Sequence, residues 1–177
     1  MEQKPYQGWS ILVDCDGCLT NGQKIVDATG QRQMIAFHSR DSIACKMLVE
    51  MGFQVIVLTH SFFEGITDYW SKYGAKIYTP SFGEPMENKL NVAIRYPLDW
   101  EKTIGIGDDV TDICYLEKCK FVFLPSDAAS QVQRYFYAKL GAFESETPGG
   151  GGLLSFLLDD INQGTLEEYN YDYHAEH

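Results

Sequence analysis

Apolar runs of strand length recur along the chain at Trp9–Val13, Gln54–Leu58, Lys76–Tyr78, Thr103–Ile106 and Phe121–Leu124. Between them, Ser42–Met51, Phe63–Tyr73, Pro85–Arg95, Val110–Lys118 and Ala128–Lys139 read as helices. Such alternation predicts a parallel sheet, because parallel neighbours need a crossover between them. Ile11 to Val13 and Val55 to Leu58 are unbroken apolar stretches, which suit strands covered on both faces. Helices are therefore expected above and below the sheet, in three layers. Asp41 and Asp109 stand where two helices would be capped, and Gly52 and Gly74 where two would stop.

One segment breaks this rhythm. From Asn21 to Phe37 the chain carries Lys24–Asp27, the turn-like Ala28–Thr29–Gly30, and Gln33–Phe37. Two short strands about a glycine-bearing turn predict a β-hairpin projecting from the carboxyl end of strand one. Later, Pro148 and Gly149 to Gly152 form a hinge before a short apolar helix at Leu153–Leu158. The stretch from Thr165 to His177 mixes acids with tyrosines without a clear period, and reads as a flexible tail or a docking segment.

Composition narrows the class. A chain of 177 residues, 45% of them hydrophobic, fits one globular domain over residues 1–177. Asp and Glu number 25 against 14 Lys and Arg, a formal charge of −11, and the scattered basic residues offer no positive field for nucleic acid. The polar amino terminus and the lack of a long apolar window predict no secretory signal and no membrane span, hence a cytoplasmic protein. Five cysteines without a small-scaffold framework predict reduced thiols.

The chemistry gathers after strands. Asp14–Cys15–Asp16–Gly17 follows the first buried run, placing two carboxylates two residues apart on one side of an extended chain, at the strand ends where open α/β sheets bind ligands. Turns also favour Asp and Gly there. Gly107–Asp108–Asp109–Val110–Thr111–Asp112 follows the strand at Thr103–Ile106. Its carboxylates repel one another unless a cation offsets them, and Mg²⁺ prefers oxygen ligands; the bland alternative, an acidic helix start, accounts better for Asp109 and Asp112 than for Asp108. Thr59 ends the second apolar run and Lys89 lies before the fourth, a hydroxyl and an ammonium suited to phosphate oxygens.

In that order, Asp14-x-Asp16, Thr59, Lys89 and Gly107–Asp108–Asp109-x-x-Asp112, the residues resemble the four motifs of the haloacid dehalogenase phosphatases. The sequence is most similar to the small, capless group that includes 3-deoxy-D-manno-octulosonate 8-phosphate phosphatase and nonulosonate 9-phosphate phosphatases. The likeness runs from about Trp9 to Asp160 and includes Leu19–Thr20, the Gly30 hairpin, Phe37–Arg40–Asp41 and Asn88–Lys89. It implies a Rossmann-like fold with a hairpin flap over about residues 21–37. The short spacings from Asp14 to Thr59 and on to Lys89 leave no room for a cap domain. It also implies that Asp14 is the nucleophile and Asp16 the acid and base. Asp14, the Asp16 carbonyl and Asp108 would hold Mg²⁺, Asp109 and Asp112 would stand behind them, and Thr59 and Lys89 would cradle phosphate. Arg40, Asp41, His60 and Ser61 are the candidate substrate contacts, with packing beside the site as the plain alternative for His60. A phosphorylated sugar acid is the implied substrate. By the same analogy the protein is a homotetramer in which Lys24–Phe37 builds the core and Pro148–Leu154 reaches a neighbour's site.

Two departures bear on the substrate. The group usually follows motif two with Gly-Arg, whereas this chain has His60 and Ser61; its late glycine run also lacks the usual arginine. Arg40 remains as the candidate for a substrate carboxylate, with a surface ion pair as its plain alternative. A different phosphorylated metabolite, a non-catalytic binding module, and a thiol redox protein built on Cys15 and Cys18 are the competing readings. The last is disfavoured because Cys15, between two outward-facing acids, is expected to point into the sheet packing.

Overall fold

The computed structural model describes residues 4–79, 88–139 and 143–164. Six parallel strands, β1 (Ser10–Asp14), β4 (Gln54–Leu58), β5 (Lys76–Tyr78), β6 (Thr103–Ile106), β7 (Phe121–Leu124) and β8 (Phe143–Glu144), form one sheet in the order β5-β4-β1-β6-β7-β8. Ile11 to Val13 lie opposite Val55 to Val57 on one side and Ile104 to Ile106 on the other. A separate antiparallel pair, β2 (Ile25–Val26) and β3 (Arg32–Met34), makes the hairpin.

Side chains along these strands alternate between two cores, as the pleat requires. Ile11, Val13, Val55, Val57, Ile104 and Ile106 pack on one face. There they meet α1 (Ser39–Met51), α2 (Gly65–Ser71) and α6 (Leu153–Asn162), through residues such as Leu48, Trp70 and Leu157. Leu12, Ile56, Leu58, Val122 and Leu124 face the other way. They meet α3 (Lys89–Ala93), α4 (Ile113–Leu116) and α5 (Ser130–Lys139), through Val92, Leu116 and Phe136. The three-layer architecture is the expected one, and no cap domain interrupts it among the described residues.

Several boundaries differ from the periodic reading, for local reasons. α1 starts at Ser39, three residues early, because the His38 ring accepts from the Arg40 backbone N–H; Asp41 lies inside the helix. Gly52, at φ 112, ends α1 in a left-handed turn that donates to Leu48 and Val49 carbonyls, a conformation glycine adopts without a Cβ clash. α4 covers only Ile113–Leu116, because the residues ahead of it form a loop tied to Asp112. β8 was not expected, since two residues carry no period to detect. Of the Pro85–Arg95 helix, residues 85–87 lie outside the described chain, as does the tail at 165–177.

The glycine run makes close contacts within this chain. Gly149 and Gly150 pack against this chain's own loop after β1, with the Gly150 N–H donating to the Cys18 carbonyl at 2.8 Å and the Gly149 N–H donating to Asp127 at 2.8 Å. Leu153 and Leu154 are fully buried in the core beyond it. Pro148–Leu154 is thus a buttress within the chain.

Candidate active site

The strand order places the site. The chain leaves β1 towards β4 on one side and later returns to β6 on the other, so the β1 and β6 carboxyl ends flank a topological switch, the position at which open α/β sheets bind ligands.

Asp14 is the last residue of β1 and is buried. The chain then folds back in a tight loop, Thr20 N–H to Cys15 carbonyl at 2.9 Å and Gly17 N–H to Thr20 carbonyl at 3.2 Å. Gly17 has φ +96 and lies so near Asp108 that a Cβ would stand 2.1 Å from its carboxylate. Only glycine lets the two acidic loops approach this closely. Asp16, two residues after Asp14, projects into the cleft and accepts from the Thr20 hydroxyl at 3.3 Å.

After β6, Asp112 organises the second acidic loop: one carboxylate oxygen accepts from the backbone N–H groups of Asp108 at 3.0 Å and Asp109 at 3.1 Å. Its other oxygen accepts from Lys89 Nζ at 2.6 Å, and the same ammonium stands 2.8 Å from Asp14 Oδ1. Lys89 opens α3, whose cap is Asn88, and only 3% of its side chain is exposed. Thr59, just past β4, is buried, and its hydroxyl oxygen accepts from the Ser61 N–H at 3.0 Å.

Asp14, Asp108 and Asp112 each bring a carboxylate oxygen within 4.8 Å of the others. Burial pushes the Asp14 carboxyl well up, and Asp112 and Asp108 push the same way against Lys89. Burial, then Asp112, raise Asp108 to about 7 despite Lys89. Burial works to lower the Lys89 pKa, yet Asp14 and Asp112 outweigh it, and it is raised, so the ammonium stays charged. One buried cation is set against three crowded acids. An all-oxygen, acid-rich donor set of this kind fits a hard divalent ion such as Mg²⁺.

A cleft of about 1030 Å³ opens over this floor, lined by Asp14, Asp16, Thr59, Lys89, Asp108 and Asp109. His60 and Ser61 form part of its wall. Two sequence candidates lie elsewhere. Arg40 is exposed on α1 and does not line the cleft. Asp41, also placed at the substrate, is fully buried, with its carboxylate accepting from the Ser155 N–H at 3.1 Å and facing the N–H groups of Leu153 and Leu154. It caps α6 and ties it to α1, because an acid at a helix amino terminus satisfies otherwise unpaired donors. Asp112, expected behind the metal ligands, brings a carboxylate oxygen within 4.8 Å of those of Asp14 and Asp108 while both its oxygens accept from Lys89 and the loop N–H groups.

The sequence reading missed Arg32. It sits on β3, and its Nη1 lies 2.8 and 3.0 Å from the two carboxylate oxygens of Asp16 and 3.2 Å from the Ser61 hydroxyl. The signal available was its place just past the Gly30 turn of a hairpin that folds towards the strand ends. Cys15 and Cys18 are both fully buried, and burial raises both thiols well above their usual range, which removes the thiolate that redox chemistry needs.

No family model matches the chain. Over 172 residues, 97% of this chain and 92% of the relative, it is 29% identical to 3-deoxy-D-manno-octulosonate 8-phosphate phosphatase of Haemophilus influenzae. The cobalt-bound structure of the deoxy-D-mannose-octulosonate 8-phosphate phosphatase from that organism superposes with TM-score 0.73 at 26% identity, covering 96% of each chain. The Moraxella catarrhalis 3-deoxy-D-manno-octulosonate 8-phosphate phosphatase, in complex with magnesium, phosphate and KDO, gives TM-score 0.74 at 17% identity over 95% of this chain and 94% of that one. Along nearly its whole length, in sequence and in fold, the chain thus resembles the capless 3-deoxy-D-manno-octulosonate 8-phosphate phosphatases of the haloacid dehalogenase superfamily.

Proposed function

We propose that the chain is a magnesium-dependent phosphomonoester hydrolase that works through an aspartyl-phosphate on Asp14. The proposed substrate is a phosphorylated sugar acid of the 3-deoxy-D-manno-octulosonate 8-phosphate or nonulosonate 9-phosphate type. The observation that carries this reading is the convergence of Asp14, Lys89, Asp108 and Asp112, from three separate stretches of chain, on one buried point at the strand ends.

Asp14 attacks phosphorus in line, forming the aspartyl–phosphorus bond as the ester oxygen leaves. Lys89 fixes the Asp14 carboxylate through Oδ1. Asp16 gives its proton to the leaving oxygen, then takes one from the water that cleaves the aspartyl-phosphate. Thr59 already accepts from Ser61 N–H, which leaves its own hydroxyl proton to donate to a phosphate oxygen. Asp14, Asp108 and the Asp16 carbonyl would hold magnesium, with Asp112 and Asp109 beside them. When bound, that ion supplies charge neutralisation for the transferred phosphoryl group.

The assembly we propose is a homotetramer. Ile25, Val26 and Met34 on the hairpin are each more than half exposed in the single chain, apolar surface that a neighbouring copy would cover.

The test is magnesium-dependent release of inorganic phosphate from an aryl phosphate by the wild type and by Asp14→Asn. Loss of about a thousandfold or more in the variant is expected. Equal rates in the two proteins would remove Asp14 from the chemistry. A panel of phosphorylated octulosonic and nonulosonic acids then tests the substrate class, and comparable weak turnover of many unrelated esters would point to another small metabolite.

A further inference from the structure

A sugar-acid phosphate carries two anionic groups, and the floor of the cleft serves only one of them. Lys89 is committed between Asp14 and Asp112. Arg40 lies outside the cleft. Among the described residues that line the cleft, the remaining formal cations are Lys24 and Arg32, both on the hairpin side, set against Glu64, Asp68 and Asp109 on the walls. A second negative charge on the substrate therefore meets an acidic wall unless the hairpin receives it.

Arg32 is built to receive it. Its side chain is 10% exposed and holds Asp16, itself 21% exposed, through one nitrogen, Nη1. Among the described residues, the other terminal nitrogen, Nη2, has one long contact, 3.5 Å to the Gln23 carbonyl, and Nε has one of 3.4 Å to the Met34 carbonyl. A guanidinium offers five donors in a planar fork that matches a carboxylate, so most of this one's capacity is held by weak contacts. Asp16 is the proposed donor to the leaving oxygen, which places Arg32 on the leaving-group side, where the sugar must lie. The arm that carries it is light: β3 is three residues long in a two-stranded ribbon, and such ribbons are marginal alone. Its far end is anchored, since Phe37 stacks on Tyr69 at 4.7 Å and meets Trp70 edge-on at 5.2 Å.

We infer that Arg32 is the residue that selects a carboxylate-bearing substrate: it exchanges Asp16 for the substrate carboxylate on binding, and so frees Asp16 for proton transfer. The inference rests on the phosphatase reading above. It places the missing motif-two arginine function on the hairpin, with Ser61, the residue in that motif, contributing a hydroxyl that accepts from Arg32.

The experiment compares kcat/KM for 3-deoxy-D-manno-octulosonate 8-phosphate with kcat/KM for p-nitrophenyl phosphate, which has no carboxylate, in the wild type, Arg32→Gln and Arg32→Lys. The acid-to-neutral ratio is expected to fall about tenfold to a hundredfold in Arg32→Gln, mainly through KM for the acid, with part of it restored in Arg32→Lys. An unchanged ratio, even with both rates lowered, would mean that Arg32 only positions Asp16 and would overturn the inference. Wild type that cleaves the neutral ester but not the acid would also overturn it, and wild type that cleaves neither would sink the phosphatase reading itself. A second measurement needs no variant to fold: calorimetric titration of the wild type with free 3-deoxy-D-manno-octulosonate and with its methyl ester. The ester is expected to bind at least about tenfold more weakly, and equal affinities would contradict carboxylate selection.

Discussion

At the scale of single residues, the site is a problem of charge. Three carboxylates share one buried corner, and one ammonium stands among them. Removing a partner from a buried pair costs more than the pair contributes, because the group left behind keeps its desolvation penalty. Lys89→Met should therefore lose about 3–5 kcal/mol in urea unfolding without divalent ions, and magnesium should recover part of it. A loss below about 1 kcal/mol would show that the acids do not depend on Lys89. The acids and Thr59 could be read from the sequence because each ends or follows an apolar run, Lys89 because it lies ahead of one, and their order matched a known pattern. Arg32 was visible only as a residue just past the Gly30 turn, since its contact with Asp16 is set by how the hairpin folds over the sheet, and no period in the sequence records that. Asp41 looked like a site residue for the opposite reason: its neighbourhood matched the pattern, while its carboxylate turns inward to α6.

At the scale of elements, two loops hold the chemistry by close packing. Gly17 lets the β1 loop touch Asp108, and the glycine run braces that loop from behind. A Cβ on Gly149 would stand 2.0 Å from the Gly17 carbonyl oxygen, a backbone atom that has no side-chain freedom with which to yield. Gly149→Ala is expected to cost about 1–3 kcal/mol by overpacking and to weaken magnesium binding by calorimetry, because the displaced loop carries Asp16. Wild-type stability together with wild-type magnesium affinity would refute the buttress. The main-sheet strands β1, β4, β5, β6 and β7 were readable because they are largely apolar runs of strand length, four of them with the expected bounds. α4 and β8 were not, since one is shortened by the Asp112 loop and the other is two residues long.

At the scale of the whole molecule, the crowded acids tie stability to pH and to cation. Without a divalent ion, folded Asp108 keeps its proton to about 7, against an ordinary value of 3.8, and Asp14 shifts in the same direction. Between those values the folded state binds more protons than the unfolded chain, so stability falls as pH rises. In chelator, Tm should drop from about pH 5 to about pH 8. Magnesium binds the deprotonated carboxylates, so the Tm gain it gives should be larger at the higher pH. A chelated protein whose Tm rises over that range would contradict the electrostatic account. The six parallel strands and the two helical layers make this convergence possible, by bringing the carboxyl ends of β1, β4 and β6 to one edge.

The most direct test of that convergence is a crystal structure of the protein grown with magnesium and beryllium trifluoride, a mimic of a phosphoryl group on a carboxylate. The account predicts trifluoride density on an Asp14 carboxylate oxygen, with a cation shared between Asp14 and Asp108. Trifluoride bound to another residue, or a cation that contacts neither aspartate, would contradict it.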